Sequence, residues 1–247
     1  MPRNESQELN HAILEALHSS NEPMGSWSLY YLLKERGYNI SAPTIGRRLR
    51  DLELKNFVGK VTVEGRIITS SGIRMLHKAA TDHQVRTSAE EVLTLLKSNR
   101  RKDIIDLLIA RRIIEGESAH LAAINASPRD VARLQAIVRK QKSSLNSGNL
   151  AVKEDVGFHE MLAKISGNKF IAYSVHLLRS QEWLNYAVIA IRAKLGEGLV
   201  VEHEGIISAV RDHNSAAARS AMEQHITKLI AEVERYWHEV FRPAGAS

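Results

Sequence analysis

Four side chains in the second half of the chain stand out for their chemistry. Asp155 and His159 are four residues apart, so on a helix they project from one face, about 40° apart. A carboxylate and an imidazole placed this way can hold one divalent ion. His203 and His225 are 22 residues apart, too far for one straight helix. The pattern breaks between them at His213-Asn214, and the break makes a hairpin. His203 lies ten residues before His213 and His225 twelve after it. At about 1.5 Å per residue the two imidazoles stand nearly level on adjacent helices. Three imidazoles and one carboxylate suit a borderline ion such as zinc, nickel, manganese or iron, with positions left open for water or a ligand. Imidazoles ligate only when neutral, so affinity is expected to fall below about pH 6. The spacing leaves an alternative open: four ordinary polar residues on helix surfaces, in a chain with 11 His.

A second concentration of chemistry lies near the start. Residues 41–60 carry Arg47, Arg48, Arg50, Lys55 and Lys60 against Asp51 and Glu53, a net charge of +3. The whole chain carries +6, so the positive charge is focused. Thr44, Arg47, Arg48 and Lys55 cannot all face a core if Ile45, Leu49, Leu52 and Leu54 do. Such a face meets an anionic partner, or it is simply a solvated basic surface.

The elements that must position these groups follow from periodicity. Leu9, Ile13, Leu14 and Leu17 predict an amphipathic helix over 6–18. Ser26 is read as the N-cap of a second helix that Gly37 stops. Ser41 caps a third, with Pro43 tolerated in its first turn. Two β-branched runs about a Glu64-Gly65 turn then give a hairpin signal. Three helices and a hairpin is the order of a winged helix-turn-helix, whose third helix enters the major groove of double-stranded DNA. Ser41, Thr44, Arg47 and Arg48 at the start of that helix are the candidate DNA contacts, with Lys60 and Arg66 on the wing.

From about residue 100 the pattern is almost continuously helical, with six or so helices. Ser127 and Pro128 open one, and Ser166-Gly167-Asn168 ends another. A long fourth helix runs without Gly or Pro from Lys169 to Leu195 and stops at Gly196. Short turns between long amphipathic helices make an antiparallel bundle. A simple meander leaves His203 far from His159, so the four ligands meet only if the fourth helix bends or crosses over. Arg179 and Asn185 on that helix either line a pocket or lie on the surface. Trp183, Tyr186, Trp237 and Met222 read as packing residues. The expected fold is therefore mainly α, a winged helix-turn-helix joined to an all-α antiparallel bundle. The expected divisions are 1–80 for the DNA-binding domain, 81–102 for a linker or connecting helix, 103–240 for the bundle and 241–247 for a tail.

Composition narrows the function classes. The chain has 247 residues, 44% of them hydrophobic, and no Cys. Absent thiols exclude disulfide scaffolds, thiolate zinc fingers, Fe–S sites and Cys nucleophiles. No apolar run reaches the roughly 20 residues that span a bilayer, and MPRNESQELN lacks a signal-peptide core. The expectation is a cytoplasmic protein with no membrane partner.

Two resemblances sharpen this reading. NEPMGSWSLYYLLKERGYNISAPTIGRRLRDLELKNFVGKV and the following GRIITSSGIRML resemble the winged-helix domain of the NrpR-type nitrogen regulators, through the GYNIS turn, the RRLRDL helix and the GRIITSSG wing. That resemblance implies operator DNA. Residues from about 100 to 240 resemble the FCD effector-binding domain of the FadR branch of the GntR transcription factors. Arg111 and Glu115, then HLAA, begin the match. Asp155, Phe158 and His159 follow, then Ser166 to Asn168. Glu202, His203, Ile206 and Ala209, then Ala218, Met222, His225 and Ile226, complete it. The resemblance implies a divalent metal on Asp155, His159, His203 and His225, and a small carboxylate effector helped by Arg111. The N-terminal part departs from that family, with SAPTIGRRLRDL where SRTxVREAL stands in GntR proteins. The expected function is a ligand-responsive transcription regulator acting as a homodimer. The alternative is a metal-dependent enzyme acting on a small carboxylate. Against an enzyme stand the missing HExxH and Cys/His motifs and the lack of an identifiable acid or base partner, though Glu202 and Glu204 flank His203.

Overall fold

The computed structural model describes residues 3–20, 22–61, 63, 65–195 and 199–240. The chain divides into two compact units, Met1–Glu91 and Val92–Ser247. The first unit opens with α1 (Arg3–Ser20), α2 (Ser26–Glu35) and α3 (Ala42–Leu54). β1 (Val58–Lys60) and β2 (Arg66–Ile68) pair antiparallel, Val58 opposite Ile68 and Lys60 opposite Arg66. α4 (Ser70–Leu96) follows and passes the division between the units. Leu9, Ile13, Leu17, Leu29, Leu33, Ile45, Leu49, Leu52 and Val58 form one buried cluster. The periodic apolar face of each helix is thus spent on a common core.

Local chemistry explains the boundaries. Gly25 is the N-cap of α2, so Ser26 stands one position inside the helix. Ser41 is the N-cap of α3 in extended conformation, but its hydroxyl bonds the Thr44 hydroxyl at 3.0 Å instead of a backbone N–H. Leu54 does not face the core; at the end of α3 it is 88% exposed. Asn56 takes a positive φ of 58° where α3 turns into β1. The Glu64 half of the expected turn lies outside the described residues.

The second unit contains α5 (Arg101–Asn125), α6 (Pro128–Asn146), α7 (Val152–Ile165), α8 (Lys169–Leu178), α9 (Glu182–Leu195), α10 (Leu199–Arg211) and α11 (Ser215–Val240). A capping box starts α6: the Ser127 hydroxyl accepts from Asp130 N, while the Asp130 carboxylate accepts from Ser127 N. The Asn168 carboxamide oxygen caps α8 by accepting from the N–H groups of Phe170 and Ile171. His213 at φ 53° makes the turn between α10 and α11. The expected long fourth helix is two helices. It breaks at Arg179-Ser180-Gln181, where no Gly or Pro marks the place. Gly196, the expected stop, lies outside the described residues, as does the 241–247 tail.

Two apolar clusters fill this unit. Ala119, Ala122, Leu134, Phe158, Leu162, Ile206, Val210, Met222 and Ile226 belong to one. Ile104, Leu108, Leu184, Val188, Ile191, Leu229 and Val233 form the other, with Trp237 packed against it. Trp183 and Tyr186 do not serve the core as expected; they are 39% and 60% exposed. Among the described residues no helix is long and apolar enough to cross a membrane.

Gly72 at the start of α4 allows a close approach between that helix and the wing. A Cβ there would stand 2.2 Å from the Phe57 carbonyl oxygen and 2.6 Å from Ile68 Cγ1. Backbone cannot yield as a flexible side chain does, so Gly72→Ala is expected to destabilise the first unit by about 3 kcal/mol. Denaturant unfolding followed by Trp27 fluorescence measures the loss, and an unchanged midpoint refutes the packing argument.

Candidate metal and effector site

The helix break solves the problem that the meander posed. With α8 and α9 separate, α7, α10 and α11 bring His159, His203 and His225 together, and a ligand atom from each lies within 4.8 Å of the others. Asp155 joins them: its Oδ1 lies 3.6 Å from His203 Nε2 and 3.9 Å from His159 Nε2. All three imidazoles and Asp155 are buried. Phe158 stacks on His203, with ring centroids 4.1 Å apart. Apolar packing thus fixes the plane of the imidazole next to the residue's own helical neighbour, His159.

Each imidazole has an oxygen close to Nδ1. His159 Nδ1 stands 2.6 Å from Glu115 Oε2. His203 Nδ1 meets Gln141 Oε1 at 2.9 Å, and His225 Nδ1 meets Glu202 Oε2 at 2.8 Å. At His203 an oxygen acceptor at Nδ1 favours the tautomer with its proton there and its Nε2 lone pair free, while His225 Nδ1 also meets the Arg192 guanidinium at 3.3 Å. The buried Nε2 atoms of His159 and His203 have no hydrogen-bond partner in the protein. An orphaned buried acceptor is costly unless something meets it. Converging lone pairs beside a carboxylate oxygen are the donor set of a divalent ion, so these residues fit one.

Electrostatics hold the donors in the right state. Burial pushes the His159 imidazole down to about 4, with the Arg179 charge acting in the same direction. Burial, then His225 and His159, hold His203 well below its ordinary value. Protons therefore compete with a metal for these two rings only in more acidic solution than the expected pH 6. Burial works against the charge of Glu115, yet Arg179, His159 and Arg111 outweigh it and keep the carboxylate ionised. Asp155 is lowered in the same contest, with Arg179 the main opponent of burial.

Arg179 is the centre of the surrounding shell. Its Nε and Nη2 donate to Glu115 Oε1 and Oε2 at 3.0 and 2.8 Å, and its Nη1 donates to Asp155 Oδ2 at 3.0 Å. Arg111 reaches the site through Glu115, donating from Nε to Oε1 at 2.9 Å. Asn185 is buried, and its Nδ2 donates to the Arg179 carbonyl at 2.7 Å, pinning the break between α8 and α9. Periodicity gave no sign of three further buried groups. Gln141 and Glu115 orient imidazoles, and Arg192 pairs with Glu202 at 2.8 Å and Glu232 at 3.1 Å. A buried polar residue on an otherwise apolar helix face was the available signal for each.

In the first unit Ser41, Arg47 and Lys60 are exposed, and Thr44 and Arg48 half-buried. Arg47 Nη2 donates to the Thr44 hydroxyl at 3.3 Å. Arg48 stands 3.8 Å from Asp51. Arg66 is not a free wing cation: its Nε donates to Glu53 Oε2 at 2.9 Å, with only 15% of its side chain exposed. That pair ties β2 to α3.

Comparison with known proteins now bears on this geometry. Residues 106–228 match the FCD domain. They contain Arg111, Asp155, His159, Arg179, Asn185, His203 and His225. Residues 11–76 match the Ribonuclease R winged-helix domain. Among curated relatives, the HTH-type transcriptional regulator LutR of Bacillus subtilis (strain 168) is 28% identical over 145 residues, 57% of this chain and 66% of LutR. The HTH-type transcriptional repressor NanR of Enterobacter sp. (strain 638) is 31% identical over 52% of this chain and 48% of NanR. The chain thus spans about half to two thirds of the length of these relatives. The structure of E. coli McbR/YncC covers 94% of this chain and 96% of its own, at 14% identity and a TM-score of 0.51, a likeness of fold. A winged helix plus a helical FCD domain is the fold of this chain.

Two measurements test the shell. Arg179→Met leaves Glu115 and Asp155 buried without their shared cation, so unfolding free energy is expected to fall by about 3–5 kcal/mol; a loss below 1 kcal/mol means water already reaches the cluster. The second concerns pH. The unfolded chain protonates His159 near its ordinary 6.5, the folded chain only near 4. Stability from this ring is therefore full above pH 6.5 and declines as pH falls toward 4. Glu202, held down to about 2 mainly by its contacts to His225 and Lys228 against burial, titrates below that window. Chelator-treated protein should lose about 2 kcal/mol between pH 7 and pH 5 from His159 alone. Urea unfolding at the two pH values reads this directly, and equal stability contradicts it.

Proposed function

We propose that this chain is a cytoplasmic, ligand-responsive transcription regulator that binds double-stranded operator DNA as a homodimer and senses a small carboxylate at a metal site. The observation that carries the reading is the inward convergence of buried imidazole Nε2 atoms beside Asp155, inside a segment that matches the FCD domain. A divalent ion of the zinc, nickel, manganese or iron class, held by Asp155, His159, His203 and His225, supplies a Lewis-acidic anchor for a carboxylate oxygen. The chain's own residues do the rest. Glu115, Gln141 and Glu202 keep the rings oriented. Arg179, steadied by Asn185, and Arg111 behind it supply the positive charge that an effector carboxylate requires.

The DNA reading rests on α3. Ser41, Thr44, Arg47 and Arg48 occupy its first turns, and Lys60 stands on the wing. Arg66, also on the wing, is held by Glu53 while it faces the phosphate backbone. The relatives compared are regulators, in keeping with a non-enzymatic role. Coupling follows from connectivity: Arg111 and Glu115 are on α5, the helix that follows α4 in the chain. An effector that binds one arrangement of the site better than another shifts the population of DNA-binding forms.

The test joins metal, effector and operator. Purified protein should carry about one equivalent of divalent metal, and H203A/H225A should lose it by elemental analysis. Operator affinity should change 5–150-fold when the effector is added to wild type, and not in H203A/H225A. R47A/R48A should lose about 1–3 kcal/mol of operator affinity per base-reading Arg. Undiminished metal in the His variant, or undiminished operator binding in the Arg variant, refutes the respective half.

A further inference from the structure

α8 has the composition of a buried helix and the exposure of a surface one. Its sequence, KFIAYSVHLL, is apolar around most of its circumference, yet Val175 is its buried residue. Phe170 is 87% exposed, Tyr173 74% and Leu177 37%. They recur at three and four residues, so they form one stripe along one side of the helix. A helix apolar all round belongs inside a core or against a partner. A stripe with two aromatic rings is the kind of patch that marks an interface on a protein surface.

We propose that α8 is a two-fold contact between two copies of this chain, packed antiparallel with the axis near Tyr173. The inference rests on the homodimer in the regulator reading and assigns it a surface. The choice of a second copy comes from the charges at the rim. Lys169 is exposed at one end of the stripe. At the other, the Glu160 carboxylate from α7 stands 2.8 Å from His176. Lys169 lies four residues before Tyr173, and Leu177 four after. An antiparallel pair centred on Tyr173 therefore sets Lys169 of each copy level with Leu177 of the other, on the side where Glu160 stands. Cation meets carboxylate twice, once at each end, as an isologous contact requires. A parallel pairing would set Lys169 against Lys169. The stripe offers roughly 400 Å² of apolar surface per copy, counting the ring areas, about half of a standard interface of ~800 Å² per partner. The flanking polar rim supplies the remainder.

The experiment uses the full chain without DNA. Sedimentation velocity at micromolar concentration should show a dimer for wild type. Phe170→Glu and Tyr173→Glu, both at exposed positions, should raise the dissociation constant at least tenfold with unchanged circular dichroism. Lys169→Glu should weaken the dimer and Lys169→Glu/Glu160→Lys restore it. The chain has no Cys, so Tyr173→Cys introduces a single thiol. Mild oxidation should link two copies through it, and should leave Ile113→Cys, 63% exposed on α5, unlinked. A monomeric wild type overturns the proposal and assigns the stripe to another partner. Glu variants that dimerise as wild type does, or equal linking at Ile113→Cys, overturn it while leaving the regulator reading intact. An α8-dependent dimer that recognises no DNA supports the contact and overturns the regulator reading.

Discussion

The second unit depends on one guanidinium. Arg179 closes both oxygens of Glu115 in a two-pronged pair and uses its remaining nitrogen on Asp155. Three helices, α5, α7 and α8, are joined at a single cation. A buried charge is tolerable only when fully paired, and its removal leaves two carboxylates stranded. Glu115 in turn faces His159, so the geometry of the imidazole cluster is inherited from an ion pair that need not touch a ligand. The pair also explains why the chain bends where it does: Arg179 follows the last residue of α8, and Asn185 holds its carbonyl from α9.

The polar cluster interrupts an apolar interior. On α5, Ile104 and Leu108 precede Arg111 and Glu115, and Ala119 and Ala122 follow them. On α11, Met222 precedes His225 and Leu229 follows it. The two helices pack together with opposite order, Ile104 and Leu108 sharing a cluster with Leu229 and Val233. A layer of charged and imidazole groups is thus clamped between two apolar layers. Shielding from water strengthens every contact in the layer and makes every unmet atom more costly. The clamped layer is the part of the unit where stability and ligand chemistry share the same residues.

Much of this was readable from residue spacing. Asp155 and His159 at i and i+4, and the hairpin that levels His203 with His225, required only helical geometry. The break in the fourth helix was not readable, because it is held by the long-range bonds of Arg179 to Glu115 and Asp155 and carries no Gly or Pro. Gln141 and Arg192 escaped for the same reason, and Glu115 was noted only as part of a motif: a buried polar partner is defined by what another helix presents to it. In the first unit the order of three helices and a hairpin followed from periodicity. The partner of Arg66 was not readable, because Glu53, thirteen residues earlier in sequence, meets it only after the wing folds back on α3. Leu54 was misjudged because α3 ends there and its last turn no longer faces the core.

Phe158 lies against both worlds of the second unit. It is a fully buried member of the larger apolar cluster, and its ring is stacked on His203. It carries no donor atom, yet its shape sets the tilt of an imidazole that does. Sequence variation at this position will therefore be constrained as tightly as at a ligand, for a reason that has nothing to do with coordination. A map of tolerated substitutions will draw the sensing site one residue larger than its chemistry, and the added residue will be aromatic.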